Sequence, residues 1–212
     1  MNTILPCLAA AAAALVAGSA AAQSNMVKLG VSRYTTHTQT SGISGIGVPP
    51  GADADTNDAT TVIVVYERML TPNLGAELVL GVPPKIEARA TGSVAFLGDN
   101  VLSARNASPT VLVNWHFGAP GDTWRPYLSA GFNYTRFIDI QSRIAQDVQM
   151  KDSFGWAAGG GVDYAIDARW GLFASVTALR VRTKLVATGA TVLQSELDFR
   201  PVTYSFGATY RF

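Results

Sequence analysis

Two histidines, one cysteine and a scatter of carboxylates are the obvious reactive groups in this chain. His37 sits among Thr and Ser residues, with Asp53, Asp55 and Asp58 downstream. A histidine, a hydroxyl and an acid make a hydrolytic triad when a fold gathers them. Runs rich in Thr and Ser are equally ordinary in exposed loops. His116, in "NWHF", stands beside a short turn-forming stretch and far from any such set. No catalytic residue is therefore expected, and the chain is not expected to be an enzyme. Metals fare no better. Two distant histidines, with Cys7 confined to an apolar N-terminal run, give no zinc spacing. "GADADTND" lacks the ordered spacing and closing Glu of a calcium loop. "GGG" at Gly159–Gly161 precedes no Lys-Ser/Thr pair, so it is no phosphate cradle. No metal and no cofactor are expected. With 16 basic and 15 acidic residues and no basic stripe, nucleic acid is not an expected partner either.

Five further charges, Lys28, Glu67, Glu77, Asp163 and Arg211, share a position rather than a motif. Each stands on the polar side of a segment in which apolar and polar residues alternate. The segments are "MVKLGVS", "VIVVYERM", "AELVLGV", "TVLVNWHF", "PYLSAGFNYTRF", "SFGWAAGGGVDYAI", "WGLFASVTAL" and the closing "SFGATYRF". Period-two alternation marks strands whose two faces meet different surroundings. Eight segments of roughly ten residues match the strands of a small membrane barrel. Leu29, Val64, Leu78, Val113, Phe132, Trp156, Leu172 and Phe206 form the greasy face, and aromatics gather near segment ends. Charged residues make up 15% of the chain, against about 25% in soluble domains, so part of the surface is expected to meet lipid. The expected fold is all-β, an eight-stranded antiparallel up-and-down transmembrane barrel. A soluble barrel would turn the same apolar stripe inward.

The five charges then point into the lumen. Isolated charges there are costly and paired ones are tolerated. They read as a salt-bridged plug filling one end, or as a polar, ion-passing constriction. Ile63, Val65, Leu112 and Phe173 also point inward, which is odd for a water-filled pore but suits small hydrophobic molecules. Pro83, Pro84, Pro109 and Pro201 fall near strand ends. Proline donates nothing to a sheet ladder, so these sites either loosen the wall or merely end strands at the rim.

The connections carry an independent signal. "LTPN", "GAPGDTWR" and "DAR" are short, whereas residues 35–60, 84–109, 138–152 and 184–198 form long links. Short periplasmic turns alternating with long external loops are usual for outer-membrane barrels. Both termini are then periplasmic. The first 22 residues read as a signal peptide, with an apolar run from Ile4 to Ala17 and Ala20-Ala21-Ala22 before Gln23. No Lys or Arg precedes the apolar run, and a retained anchor is the competing reading. The barrel domain is expected over residues 23–212.

Laid out this way, the chain resembles the OmpW family of eight-stranded outer-membrane proteins. The resemblance is carried by "LTPNLGAELVLGVP", "SPTVLVNWHF", "RPYLSAGFNYTRF", "SFGWAAGGGVDYAID" and "YSFGATYRF". It implies a barrel in the outer membrane of a Gram-negative bacterium, with a lumen that passes apolar solutes sideways through the wall. The final strand, with Ser205, Gly207, Tyr210 and terminal Phe212, resembles the signal read by the outer-membrane assembly machinery. The expected function is a narrow channel or binding conduit for small hydrophobic molecules, acting as a monomer in outer-membrane lipid. The alternative is a non-transporting anchor whose external loops bind partners.

Overall fold

A computed structural model describes residues 25–35, 38–40, 44–45, 49–99, 101–143, 147–188 and 192–212. The expected signal peptide with Cys7, and His37, lie outside the described residues. Eight long strands form the wall: β1 (Asn25–Thr35), β2 (Ala59–Met69), β3 (Leu74–Gly81), β4 (Thr110–His116), β5 (Trp124–Ser142), β6 (Ser153–Ala165), β7 (Trp170–Leu179) and β8 (Val202–Arg211). Each pairs antiparallel with its sequence neighbours, and β8 pairs with β1, so the meander closes. Closure leaves neither the first nor the last strand as a free edge. At the joint, the Asn25 amide donates to the Phe212 carbonyl (3.3 Å) and the Phe212 amide to the Asn25 carbonyl (2.9 Å).

The alternation read from the sequence sets the two faces. Leu29, Val64, Leu128, Phe132, Phe154, Trp170 and Phe206 are exposed on the outside, while Ile63, Val65, Leu112 and Phe173 are buried inside. So continuous an apolar exterior would be a liability in water and is what lipid requires. Trp124 packs on Tyr164 (4.6 Å between rings) and Trp170 on Tyr210 (4.9 Å) near the short turns. Phe132 stacks on Phe154 (5.4 Å) toward the other rim. Tyr164 and Phe154 are ten residues apart on β6. At about 3.3 Å per residue and a tilt of about 40°, they stand roughly 25 Å apart in height, the thickness of a membrane barrel's apolar band.

The short turns are tied by side chains. Asn73 Nδ2 donates to the His116 carbonyl (2.7 Å) and the Gly118 carbonyl (2.9 Å), linking the first turn to the second. Gly118 (φ +79°) and Gly121 (φ +100°) take the left-handed backbone the second turn needs. In the third, the Asp167 carboxylate accepts from the Arg169 and Trp170 amides, each at 2.7 Å. Those two bonds, Trp170 foremost, hold its carboxyl below the usual aspartate range.

The long links carry β structure of their own. Ala52–Thr56, Lys85–Gly92 and Leu102–Ala107 extend a sheet from the far end of β5. Asp147–Met150, Val181–Thr188, Val192–Phe199 and Thr38–Thr40 form a second sheet, with Ser44–Gly45 pairing at its side. Small apolar clusters explain why these segments fold. Ala52, Ala90, Val94 and Val101 pack together, and so do Ala104, Phe137 and Val181.

Candidate functional site

The lumen is layered, and each layer follows from which inward positions share a level. Nearest the short turns is a set of charges drawn from five strands. Lys28 Nζ on β1 lies 3.1 Å from Glu67 Oε2 on β2, 3.6 Å from Glu77 Oε2 on β3 and 3.0 Å from Asp163 Oδ1 on β6. His116 on β4 joins through Nε2, 2.7 Å from Glu67 Oε1. Its Nδ1 lies 3.8 Å from Asp163 Oδ2. Asn114 Nδ2 donates to both Glu67 and Glu77, at 2.9 Å each. Lys28, Glu67, Asn114 and His116 are at most 1% exposed. Below them Arg125, in register with Asp163, donates to the Pro72 carbonyl (2.8 Å).

Glycines make room for this layer and for the aromatic one above it. Tyr127 faces Gly161 in register, and a Cβ at Gly161 would come within 2.6 Å of the Tyr127 hydroxyl. Gly30 and Gly207 face each other beside Phe173, where a Cβ on Gly30 would lie 3.0 Å from the ring. The Lys28 ammonium sits 4.8 Å from the Tyr127 ring centre and 5.6 Å from that of Phe173. The two rings cover it, a cation–π arrangement that separates charge from the apolar space beyond.

That space is a cavity whose unfilled volume is about 820 Å3, part of it continuous with solvent. Ile63, Val65, Val79, Leu112, Phe173 and Leu179 supply its apolar lining. Hydroxyls of Ser32, Thr61, Thr110, Ser175, Thr177 and Ser205 are interspersed, while Lys28 and Glu77 touch its base. Ile86, from the link after β3, packs against Tyr34, Leu112 and Leu179 near the mouth.

Four of the five expected lumen charges thus meet. Arg211 does not: the ion pairs among the described residues leave it out. Register explains why. Thr209 stands opposite Lys28, whereas Arg211 stands opposite Met26, one inward position nearer the rim. His116 and Asn114 take the place expected for Arg211. Both lie on the inward parity of "TVLVNWHF", the signal that could have found them.

Glu67, His116 and Asp163 hold ligand atoms within 4.8 Å of one another. Such a donor set can hold a divalent metal. No spacing rule reveals it, because the three residues come from three strands. Lys28 already supplies one cation to both carboxylates, at 3.1 Å from Glu67 and 3.0 Å from Asp163. Asp58 is ion-paired with Arg33 (3.0 Å) on the exposed rim, remote from this layer.

Among the described residues, the wall is interrupted between β3 and β4. Pairing of β3 with β4 stops at Val79–Thr110. It resumes beyond the barrel with the Asn106 amide donating to the Pro84 carbonyl (3.1 Å) and with Lys85–Arg105. Pro83, Pro84 and Pro109 sit at this break, and Val82, Pro84, Asn106 and Ser108 line the cavity there. Pro201 behaves differently. It is buried, and its carbonyl accepts from the Leu179 amide (2.9 Å), so the wall stays sealed beside it.

Comparison with known proteins agrees with this architecture. Outer membrane protein W of Escherichia coli is 32% identical over 182 residues, covering 82% of each chain. The crystal structure of OprG from Pseudomonas aeruginosa superposes with a TM-score of 0.82 at 23% identity, over 90% of this chain and 96% of that one. A more distant relative is the dibenzothiophene metabolism operon protein PahQ of Pseudomonas aeruginosa, 27% identical over 141 residues, 66% of this chain and 64% of PahQ. With the OmpW family model matching residues 21–212 as well, this closed, layered barrel belongs to the OmpW family of outer-membrane proteins.

Proposed function

We propose that this outer-membrane barrel is a conduit for small hydrophobic molecules, which enter at the long-link end and leave sideways between β3 and β4. The observation that carries the reading is the apolar cavity with a charged floor beneath it and a break in the wall beside it. An apolar solute gains by entering such a cavity, roughly 25 cal/mol per Å2 of surface removed from water. It cannot pass three buried carboxylates and a lysine without losing that gain. The gap at Pro83, Pro84 and Pro109 opens onto lipid, where the solute is equally at home. PahQ, whose name places it in a dibenzothiophene operon, supports an apolar aromatic cargo. The long links face outward and both termini face the periplasm in this reading. A wall closed on itself leaves no edge for a second copy, which favours a monomer. Residues 1–22 serve as the export signal, and Ser205, Gly207, Tyr210 and Phe212 as the element engaged by the assembly machinery.

The test is uptake of an apolar fluorescent dye by vesicles carrying the refolded barrel. Wild type should load faster than empty vesicles, and Ile63→Trp, which fills the cavity, should cut the excess rate by about tenfold, as a lost binding step of about 1.4 kcal/mol would. Uptake no faster than in empty vesicles would overturn the conduit. That result would favour the anchor reading, which draws on the ordered sheets built from the long links.

A further inference from the structure

The outside of the wall is not uniform around its circumference. Near the long-link end, β3 and β4 present Leu80 and Val111 to the outside. Farther round the wall, beyond β5, arginines are presented instead. Leu179 and Val181 turn inward and are buried, so Arg180 between them and Arg182 beyond face out. The Arg180 amide donates to the Trp156 carbonyl (3.0 Å), which sets the two side chains at one level on neighbouring strands. The Leu179–Pro201 bond likewise sets exposed Arg200 level with Arg180 on its other flank. Phe132, Phe154, Gly155, Trp156, Arg180 and Arg182 line a shallow external cleft with about 600 Å3 of open space. Its floor is aromatic, with Phe154 at 70% and Phe132 at 59% exposure.

We propose that this cleft binds a phosphate-bearing, acylated glycolipid of the outer leaflet. The guanidinium groups of Arg180 and Arg182 take the phosphate, and an acyl chain lies along Phe132, Phe154 and Trp156. Depth supports the match: Arg182 stands level with Phe154 at the top of the apolar band, and Arg180, one pair below, is long enough to snorkel to the headgroups. A guanidinium fork pairs with phosphate oxygens through parallel, charge-assisted hydrogen bonds. These arginines also interact with neighbours in the protein. Five N–H donors per guanidinium allow both kinds of contact at once. The site differs from the conduit: it lies outside the wall, and nothing in it needs the lumen to be open. It rests on the long links facing outward.

Native mass spectrometry of the folded barrel in detergent tests this, with bisphosphoryl lipid A, its dephosphorylated form and phosphatidylglycerol as probes. Wild type should retain bisphosphoryl lipid A at about tenfold lower concentration than the dephosphorylated form, the preference one charge-assisted contact supplies. Arg180→Gln/Arg182→Gln should abolish that preference, while Arg68→Gln/Arg169→Gln at the turn end should keep it. Equal retention of the two lipid A forms by wild type would overturn the proposal, and this comparison depends on no variant folding. An unchanged preference in a heat-modifiable, folded Arg180→Gln/Arg182→Gln protein would overturn the assigned residues. Tighter retention of phosphatidylglycerol than of lipid A would overturn the glycolipid as occupant.

Discussion

The seam between β8 and β1 runs through ten register pairs, from Met26–Arg211 to Thr35–Val202, and reciprocal bonds between Asn25 and Phe212 extend it. The seam between β3 and β4 holds six, from Leu74–Trp115 to Val79–Thr110, and then stops at prolines. The first seam joins the first and last strands of the barrel and bears the entropy of closing the whole ring. The second joins strands linked by residues 82–109, and the sheet folded from that link holds its far end together. A shortened ladder is tolerable there because neighbouring structure compensates. The β3–β4 seam is therefore the less firmly closed of the two.

The contrast can be broken from beneath. Lys28 lies on β1 and reaches carboxylates on β2, β3 and β6, so one ammonium ties the bases of both seams. Lys28→Met would leave three buried carboxylates without their cation. A loss of about 3–5 kcal/mol is expected, read from urea unfolding in detergent. A smaller but more selective effect comes from moving a proline between seams. Ala208→Pro removes an amide of β8 that stands opposite Leu29 on β1, a ladder donor in the sealed seam. It should cost about 3 kcal/mol and weaken the heat-modifiable gel shift. Gly81→Pro falls at the break, where a Cβ would make only ordinary contact with Ile63 (3.5 Å). It should cost less than about 1 kcal/mol. Similar losses at both positions would show that the seams do not differ.

The smallest effect belongs to a turn remote from both. Asp167 has a depressed carboxyl pKa in the folded state, so its stabilisation is present above the ordinary aspartate value. It is lost as pH falls through the depressed folded value. Asp167→Asn should therefore melt slightly below wild type at neutral pH and level with it in strong acid. A gap that persists in strong acid would place the effect elsewhere than the ionised carboxylate.

Much of the barrel was legible because strand parity is a strict rule. Glu67 could not face inward without Val65 and Ile63 doing the same, so the apolar cavity and four of its floor charges follow from alternation alone. Parity says which face a side chain occupies, not its height. Arg211 and Lys28 share a face, yet only register separates them by a level. His116 and Asn114 share the inward face of β4, but sequence spacing carries no information about them because the carboxylates they meet come from other strands. The link strands carry no legible apolar stripe for another reason: their apolar residues are mostly alanine and valine, too small and too few per segment to form one.

The reciprocal bond between Asn25 and Phe212 also has a bearing on how the molecule is made. Its two residues lie near opposite ends of the polypeptide, so the contact that completes the ring has the highest sequence separation of any in the wall. Contacts of that kind form late and slowly. Until β8 is in place, β1 remains an edge seeking a partner, open to the wrong one. The wall therefore commits as a unit, and the Asn25–Phe212 pair marks the moment at which its first strand stops being a hazard.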